Sequence, residues 1–351
     1  MSCVNKELNK NKELNKNKVK NFFVKKELLD SDIKNKEGHY FEKDHYKLIL
    51  NENCNVYKLD ENGKEIEKDS YLLFSFRKNV FQKNQCQDAF HALQKHAQKK
   101  HNNRGSAGGL IKKDSLPNYV KKTTDVSKFR AYYIGKDGKK KKDHISNYVQ
   151  SGIIGYFDRY DRNIFNKKEI DITKIKPCRM TQFTRDQVEK WNKTLPLIKE
   201  VNNQFKNLVP LKHKSQLERA RQTSDYQILD TAFSTITINY NYQTATHKDK
   251  GDYESGFGNL IVLEKSECVQ NSDKYEGGYL GFPQYKVAVD VRQGDFLAMD
   301  VHEWHCNTSL NSNCSLNSNN VNNENNENNK KESFGRLSMV CYLRKNMIKC
   351  K

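Results

Sequence analysis

The rhythm of apolar and polar positions changes near residue 227. Beyond it, "ILDTAFSTITINYNYQT" alternates and is rich in Thr, Ile, Phe and Tyr, residue types that suit a pleated, half-buried strand. "NLIVLE", "GGYLGFPQY", "KVAVDVRQGDFLAMDVHEW" and "RLSMVCYL" come next, each short and separated by Gly or polar turns. Before residue 227 the texture is helical. Between Gln85 and Lys100, Phe90, Leu93 and Ala97 recur at helical spacing, and "HNNRGSAGG" ends the run in a glycine-rich turn. "TRDQVEKWNKTLPLIKEVNNQFKNLVP", residues 184–210, predicts a second helical region, with Thr184 as N-cap and a break at Pro196. Helices leading into short antiparallel strands predict an α+β chain, a β-sandwich or barrel braced by helices.

Two tracts carry no such pattern. The hexamer NKELNK occurs at 5–10 and again at 11–16, and 310–333 is almost entirely Asn, Ser, Glu and Lys. Both compositions lack the apolar residues that would offset the entropy of ordering. The expected organisation is therefore a low-complexity basic tail over 1–30, a helix-rich part with a basic region over 31–226, and a strand-rich core over 227–351. The Asn-rich stretch 310–333 would be an external insertion in that core.

At 351 residues the chain can bury a real core in one or two domains. No run of about 18 apolar residues predicts a membrane span, and the N-terminus lacks the apolar centre of a signal peptide. The nine cysteines form no CxxC pair or regular framework, which predicts reduced thiols in an intracellular compartment. The net charge of +19 invites a polyanion. Lys and Asn are over-used together throughout, however, so charge only supports arguments made on other grounds. His91, His96 and His101 read as the polar face of a basic helix rather than as a metal cluster.

"TATHKDKGDY", 244–253, holds the densest chemistry. Side chains two apart on a strand point the same way, so His247 and Asp249 can present an imidazole and a carboxylate together. With a distant His they would complete the 2-His-1-carboxylate set of non-haem Fe(II) oxygenases. H-x-D alone is a frequent chance match, but the residues downstream fit the set. "GDFLAMDVHEWHCNT" places His302 and His305 after an apolar strand. Three apart on an extended strand they face opposite ways, and His305, where the strand ends, is the favoured third ligand. "RLSMVCYLRK" opens with Arg336, whose face includes Ser338, Val340, Tyr342 and Arg344. An arginine there can grip the carboxylate of 2-oxoglutarate in a bidentate fork.

In these motifs the chain resembles the TET/JBP dioxygenases, which oxidise the 5-methyl group of pyrimidines in DNA. The resemblance also takes in "NRGSAGG" at 103–109, "SGIIGYFDR" at 151–159, "CRMTQFT" at 178–184 and "GGYLGFPQY" at 277–285. Its flavour is that of JBP, protist, algal and viral members, without the Cys-rich domain of animal TETs. It implies a double-stranded β-helix (jelly-roll, cupin-like) core braced by helices. Fe(II) would be held by His247, Asp249 and His305, 2-oxoglutarate anchored by Arg336, and O2 consumed. It implies that Asp252 lies by the target base and that Asn103 and Arg104 stand in an upstream base-contacting turn. Arg344 departs from the base-contacting His of TET members and leans toward a JBP-like pocket. The implied partner is double-stranded DNA with a flipped base, bound by a monomer in the nucleus of a cell. The lysines between 95 and 142, ending in "KKKK" at 139–142, would contact phosphates. The residues leave alternatives open. The same core could act on RNA, a free nucleotide or a protein, or bind modified DNA without turnover.

Overall fold

Alternation of apolar and polar residues builds a large sheet whose two faces have different jobs. The computed structural model describes residues 18–112, 128–134, 137, 139–160, 175–265, 275–312 and 335–351. The tandem hexamer and residues 313–334 of the Asn-rich stretch lie outside them. Strands β1 Lys20–Val24, β2 Leu48–Leu50, β3 Cys54–Lys58 and β4 Leu72–Arg77 flank a short helix, α1 Asp30–Asn35, and precede the long helix α2 Lys83–Ala97. After it come β5 Lys100–His101, β6 Ala131–Ile134, β7 Lys140–Ile145, β8 Val149–Phe157 and β9 Arg179–Met180, then helices α3 Gln182–Asp186, α4 Val188–Leu208 and α5 Pro210–Arg221. The strand run is β10 Thr235–Tyr240, β11 Gly258–Glu264, β12 Tyr275–Gly277, β13 Leu280–Phe282, β14 Val287–Val289, β15 Phe296–Met299, β16 Cys306–Asn307, β17 Leu310–Ser312 and β18 Arg336–Tyr342.

The large sheet runs β1-β3-β4-β15-β11-β18-β10-β8-β5, with β9 pairing β8, and a smaller sheet runs β16-β13-β14-β2. The part expected to be helix-rich thus also supplies β2, β3 and β4 to the two sheets. "LIL" and "LLFSFR" are short, largely apolar runs, which periodicity alone cannot separate from helix, and "CNVYK" alternates over only five residues.

Three layers result. On one face of the large sheet, Ile236, Ile238, Ile261, Leu263, Leu337 and Met339 pack against Phe90, Leu93, Leu197, Ile198, Val201 and Phe205 of α2 and α4. On the other, Leu260, Val262, Leu297, Met299, Phe74 and Phe76 meet Leu280, Phe282, Val287 and Val289 of the small sheet. Successive β11 residues alternate between the two cores, as a strand requires. The large sheet's register is antiparallel where these chains meet, with Thr237 opposite Val340 and Asn259 opposite Cys341. The small sheet does not cover the β18-β10-β8 end, and there the polar alternate residues face a cavity.

The helices follow the predicted apolar spacing, with two corrections. α4 runs through Pro196, because Leu197, Ile198, Val201 and Phe205 bury a full stripe that outweighs the missing N–H. Thr184 is not an N-cap. It lies inside α3, and its hydroxyl oxygen accepts the Gly155 N–H at 2.8 Å. Among the described residues no helix is long and apolar enough to cross a membrane. The expectation of wholly reduced cysteines is also corrected, since Cys178 and Cys350 form a disulfide. The two thiols come together because the C-terminal turn folds back onto the segment before α3, a proximity across 172 residues that spacing cannot reveal. Cys54, Cys86, Cys306 and Cys341 are free and buried.

Candidate metal and substrate site

His247 and His305 face each other across an antiparallel bridge, each N–H donating to the other's carbonyl at 3.0 Å. Asp249, two residues on, continues the pairing through its N–H to the Val301 carbonyl at 3.0 Å. Period-two geometry then puts His247 and Asp249 on one side and sends Lys248 to the other, over the Trp304 ring at 5.3 Å. His247 Nε2 lies 3.6 Å from Asp249 Oδ1, and His305 Nε2 lies 3.6 Å from Asp249 Oδ2. The other ring nitrogens are anchored to backbone carbonyls, His247 Nδ1 to Ala245 at 2.7 Å and His305 Nδ1 to Glu303 at 2.9 Å. Such anchoring fixes the tautomer and leaves both Nε2 lone pairs aimed at one point. Burial, with His247 beside it, pushes the pKa of His305 down to about 4, so its ring is neutral near pH 7.

These three side chains are the one group among the described residues placed to share a metal ion. Two imidazoles and a carboxylate on one face suit Fe(II). His302 does not join them. Its Nδ1 lies 3.4 Å from Asp300 Oδ1, and that carboxylate is itself held by Lys58 at 3.0 Å. The histidines upstream take other roles. His91 is exposed on α2. His96 does not belong to a polar face, because its ring packs, tilted, 4.8 Å from that of Phe183 and burial lowers its pKa to about 4. His101 lines the cavity.

That cavity, of about 1200 Å³, is walled by His247, Asp249 and His305, by Thr237 and Asn239 of β10, and by Ser338, Val340 and Tyr342 of β18. Arg336 shares the β18 face but is not a wall residue. It is 3% exposed, and its Nη2 donates to the Gly278 carbonyl at 3.2 Å. The same carbonyl accepts from Asn307, which does line the cavity. Arg336 Nε is buried without a hydrogen-bond partner, a donor that suits an incoming carboxylate. Gly278, at φ +68°, opens this corner, since a Cβ there would stand 3.3 Å from Nε.

Asp252 is 7% exposed and lines the cavity beside Asp249. Burial and the Asp249 charge push its carboxyl well above the usual range. Arg344 bridges Asp252 through the backbone. Asn103 is exposed at the rim, whereas Arg104 is turned into the wall, donating to the Gly152 carbonyl at 2.9 Å and to Thr237 Oγ1 at 3.4 Å. The side chains of residues 140–142 in "KKKK" lie outside those described. Phe157 and Asp158, at the end of β8, also belong to the cavity wall. No period or spacing singles them out in the sequence, and their only trace there is the run "SGIIGYFDR".

A model of the TET/JBP family, described as the oxygenase domain of the 2OGFeDO superfamily, matches residues 165–345, more than half of the chain. The chain is 33% identical over 198 residues to a bifunctional helicase and thymine dioxygenase JBP2 of Leishmania braziliensis, covering 56% of this chain and 15% of that protein. It is 30% identical over 194 residues to a thymine dioxygenase JBP1-B of Trypanosoma cruzi, covering 55% and 19% respectively. The chain therefore spans under a fifth of the length of these relatives. A solved structure of NgTET1 in complex with 5mC DNA aligns over 91% of this chain and 92% of that one, at 12% identity and a TM-score of 0.43. The spacing that joins His247, Asp249 and His305 at one point is carried within the matched segment, and the chain belongs to the TET/JBP family of oxygenase domains.

Proposed function

We propose that the protein is an Fe(II)- and 2-oxoglutarate-dependent dioxygenase that hydroxylates the 5-methyl group of a pyrimidine in DNA, with thymine ahead of 5-methylcytosine. The observation that carries this reading is the convergence of two anchored imidazoles and one carboxylate in the wall of a cavity large enough for a nucleotide base. The names of the JBP relatives support thymine. A large sheet facing a smaller one, with the cavity at their open end, supports a double-stranded β-helix.

In this reading His247, Asp249 and His305 would hold Fe(II). When bound, iron with 2-oxoglutarate and O2 supplies the power to replace C–H by C–OH, releasing succinate and CO2. The chain positions the partners. Arg336 pairs with the distal carboxylate of 2-oxoglutarate through its unpartnered Nε. Leu260, Leu280, Met299 and Val340 give the cavity an apolar floor that excludes water around a methyl group. Asp252 and Arg344 offer an acceptor and a donor to the edge of a base turned out of the helix. Arg159, Lys250 and Lys349 are exposed cations of the cavity lining and suit phosphates. The substrate places the protein with nuclear DNA where a nucleus exists.

The test is succinate release by the full chain with Fe(II) and 2-oxoglutarate, with and without duplex DNA. Release that rises with DNA and vanishes in Asp249→Ala supports the proposal. Release that ignores DNA, or survives in Asp249→Ala, refutes it.

A further inference from the structure

Phe157 and Asp158, at the C-terminal end of β8, converge with Gly251, Asp252 and Arg344 at one side of the cavity. Arg344 Nε donates to Asp158 Oδ1 at 2.6 Å, and the two side chains are 15% and 2% exposed. The guanidinium lies over the Phe157 ring, 4.8 Å from its centroid. From the other side, Gly251 makes room for it, since a Cβ there would stand 3.2 Å from Nη2. The backbone closes the arrangement, with Tyr253 N–H on the Leu343 carbonyl at 2.8 Å and Lys345 N–H on the Gly251 carbonyl at 3.1 Å. Carboxylate, aromatic face and glycine thus leave the guanidinium a single position.

Among the described residues Nη1 and Nη2 of Arg344 make no hydrogen bond. The residue lines the cavity and pairs through its backbone with Asp252, which itself lies beside the iron-holding Asp249. A guanidinium has donors and no acceptor. Held rigidly it matches a carbonyl oxygen, and its delocalised charge is kept in place by a carboxylate that is almost wholly buried. A buried Asp bonded through one oxygen, with Oδ2 left without a partner, is a costly arrangement for stability alone. It is well suited to fixing one arginine.

We propose that Asp158 is a positioning residue for substrate. It holds Arg344 against Phe157 so that Nη1 and Nη2 form a fixed donor pair for a carbonyl of the extruded pyrimidine. This rests on the dioxygenase reading only for the identity of the ligand as a base. It differs from the roles of Asp252 and Arg344 in naming the residue that acts through another, 186 positions away in the chain. Asp158→Asn keeps the shape and removes the charge that orients the arginine.

The test is a double-mutant cycle read by equilibrium binding. The full chain is kept anaerobic with Fe(II) and 2-oxoglutarate. The probes are a G·C duplex carrying one mispaired thymine and the same duplex with an abasic site at that position. Their affinity ratio isolates the base from the phosphates. Asp158→Asn and Arg344→Gln should each lower this ratio about tenfold, and the double variant should lower it no further than about twofold beyond either, because both remove one interaction. Binding of the abasic duplex and iron content should stay as in the wild type, which an unfolded or collapsed site would not allow. An unchanged ratio in Asp158→Asn, effects that multiply in the double variant, or a wild-type ratio of one overturns the proposal. Succinate release decides the dioxygenase reading separately, so the two can fail independently.

Discussion

At the scale of residues, the partners of His302 and His305 decide which of the two can reach a metal. His305 pairs with His247 across the antiparallel bridge, whereas His302 sits in the preceding turn against Asp300. His305→Ala should therefore abolish iron binding, and His302→Ala should retain it, as metal analysis of the two purified proteins would show. Taken as one extended strand, the sequence favours His305, but β15 ends at Met299 and His302 lies in a turn, so the preference is legible and its cause is not. The environment of His96 is not legible either, because a helical wheel places it among polar neighbours while Phe183 arrives from a distant helix. Burial holds the pKa of His96 at about 4 in the folded chain, against about 6.5 when unfolded. The unfolded chain thus binds the extra proton between those values. Stability present above about pH 6.5 should decline as pH falls toward 4, by on the order of 1–2 kcal/mol after allowance for partial exposure. Melting curves of wild type and His96→Gln should diverge least at the acid end of that window. A constant difference across it would remove His96 from the acid sensitivity.

At the scale of elements, β10 and β18 carry the site because their alternation is complete. Ile236 and Ile238 go to the helix-side core while Thr237 and Asn239 go to the cavity, and Leu337 and Met339 oppose Ser338 and Val340 in the same way. That pattern is readable in the amino-acid order alone, as is the apolar stripe of α2. Less readable are contacts between ends of elements, which have no period. The Asp158–Arg344 pair joins the end of β8 to the segment after β18, and the disulfide joins Cys178 to Cys350. Closing so long a loop stabilises a chain by about 5 kcal/mol in the loop-entropy account. Alkylation of the denatured, unreduced protein should modify two fewer cysteines than after reduction, read by intact mass. Equal counts would show that the two thiols are free.

At the scale of the whole molecule, the site lies where strands from both sheets end and the small sheet stops covering the large one. The N-terminal strands β3 and β4 extend the sheet beyond β15, so the geometry of the candidate metal site depends on segments far apart in the chain. The core's existence is visible in the late strands, but its closure by β2, β3 and β4 is hidden in short apolar runs. Arg336 is fixed at the sheet interior with one donor unpartnered, and removal of one member of a buried charge pair costs roughly 2–5 kcal/mol. Arg336→Ala should raise the 2-oxoglutarate concentration for half-maximal succinate release by at least about thirtyfold, measured by titration. An unchanged requirement would assign that carboxylate to another cation.

Whether this cavity presents the methyl group of a DNA pyrimidine to a metal held by His247, Asp249 and His305 is decided by nucleoside mass spectrometry. Duplex DNA would be analysed after incubation with the full chain, Fe(II), 2-oxoglutarate and O2. A 5-hydroxymethyl nucleoside is expected from thymine- or 5-methylcytosine-containing duplexes, and none from incubation with the Asp249→Ala protein. Unmodified DNA from a protein that binds iron and releases succinate would contradict the proposed function.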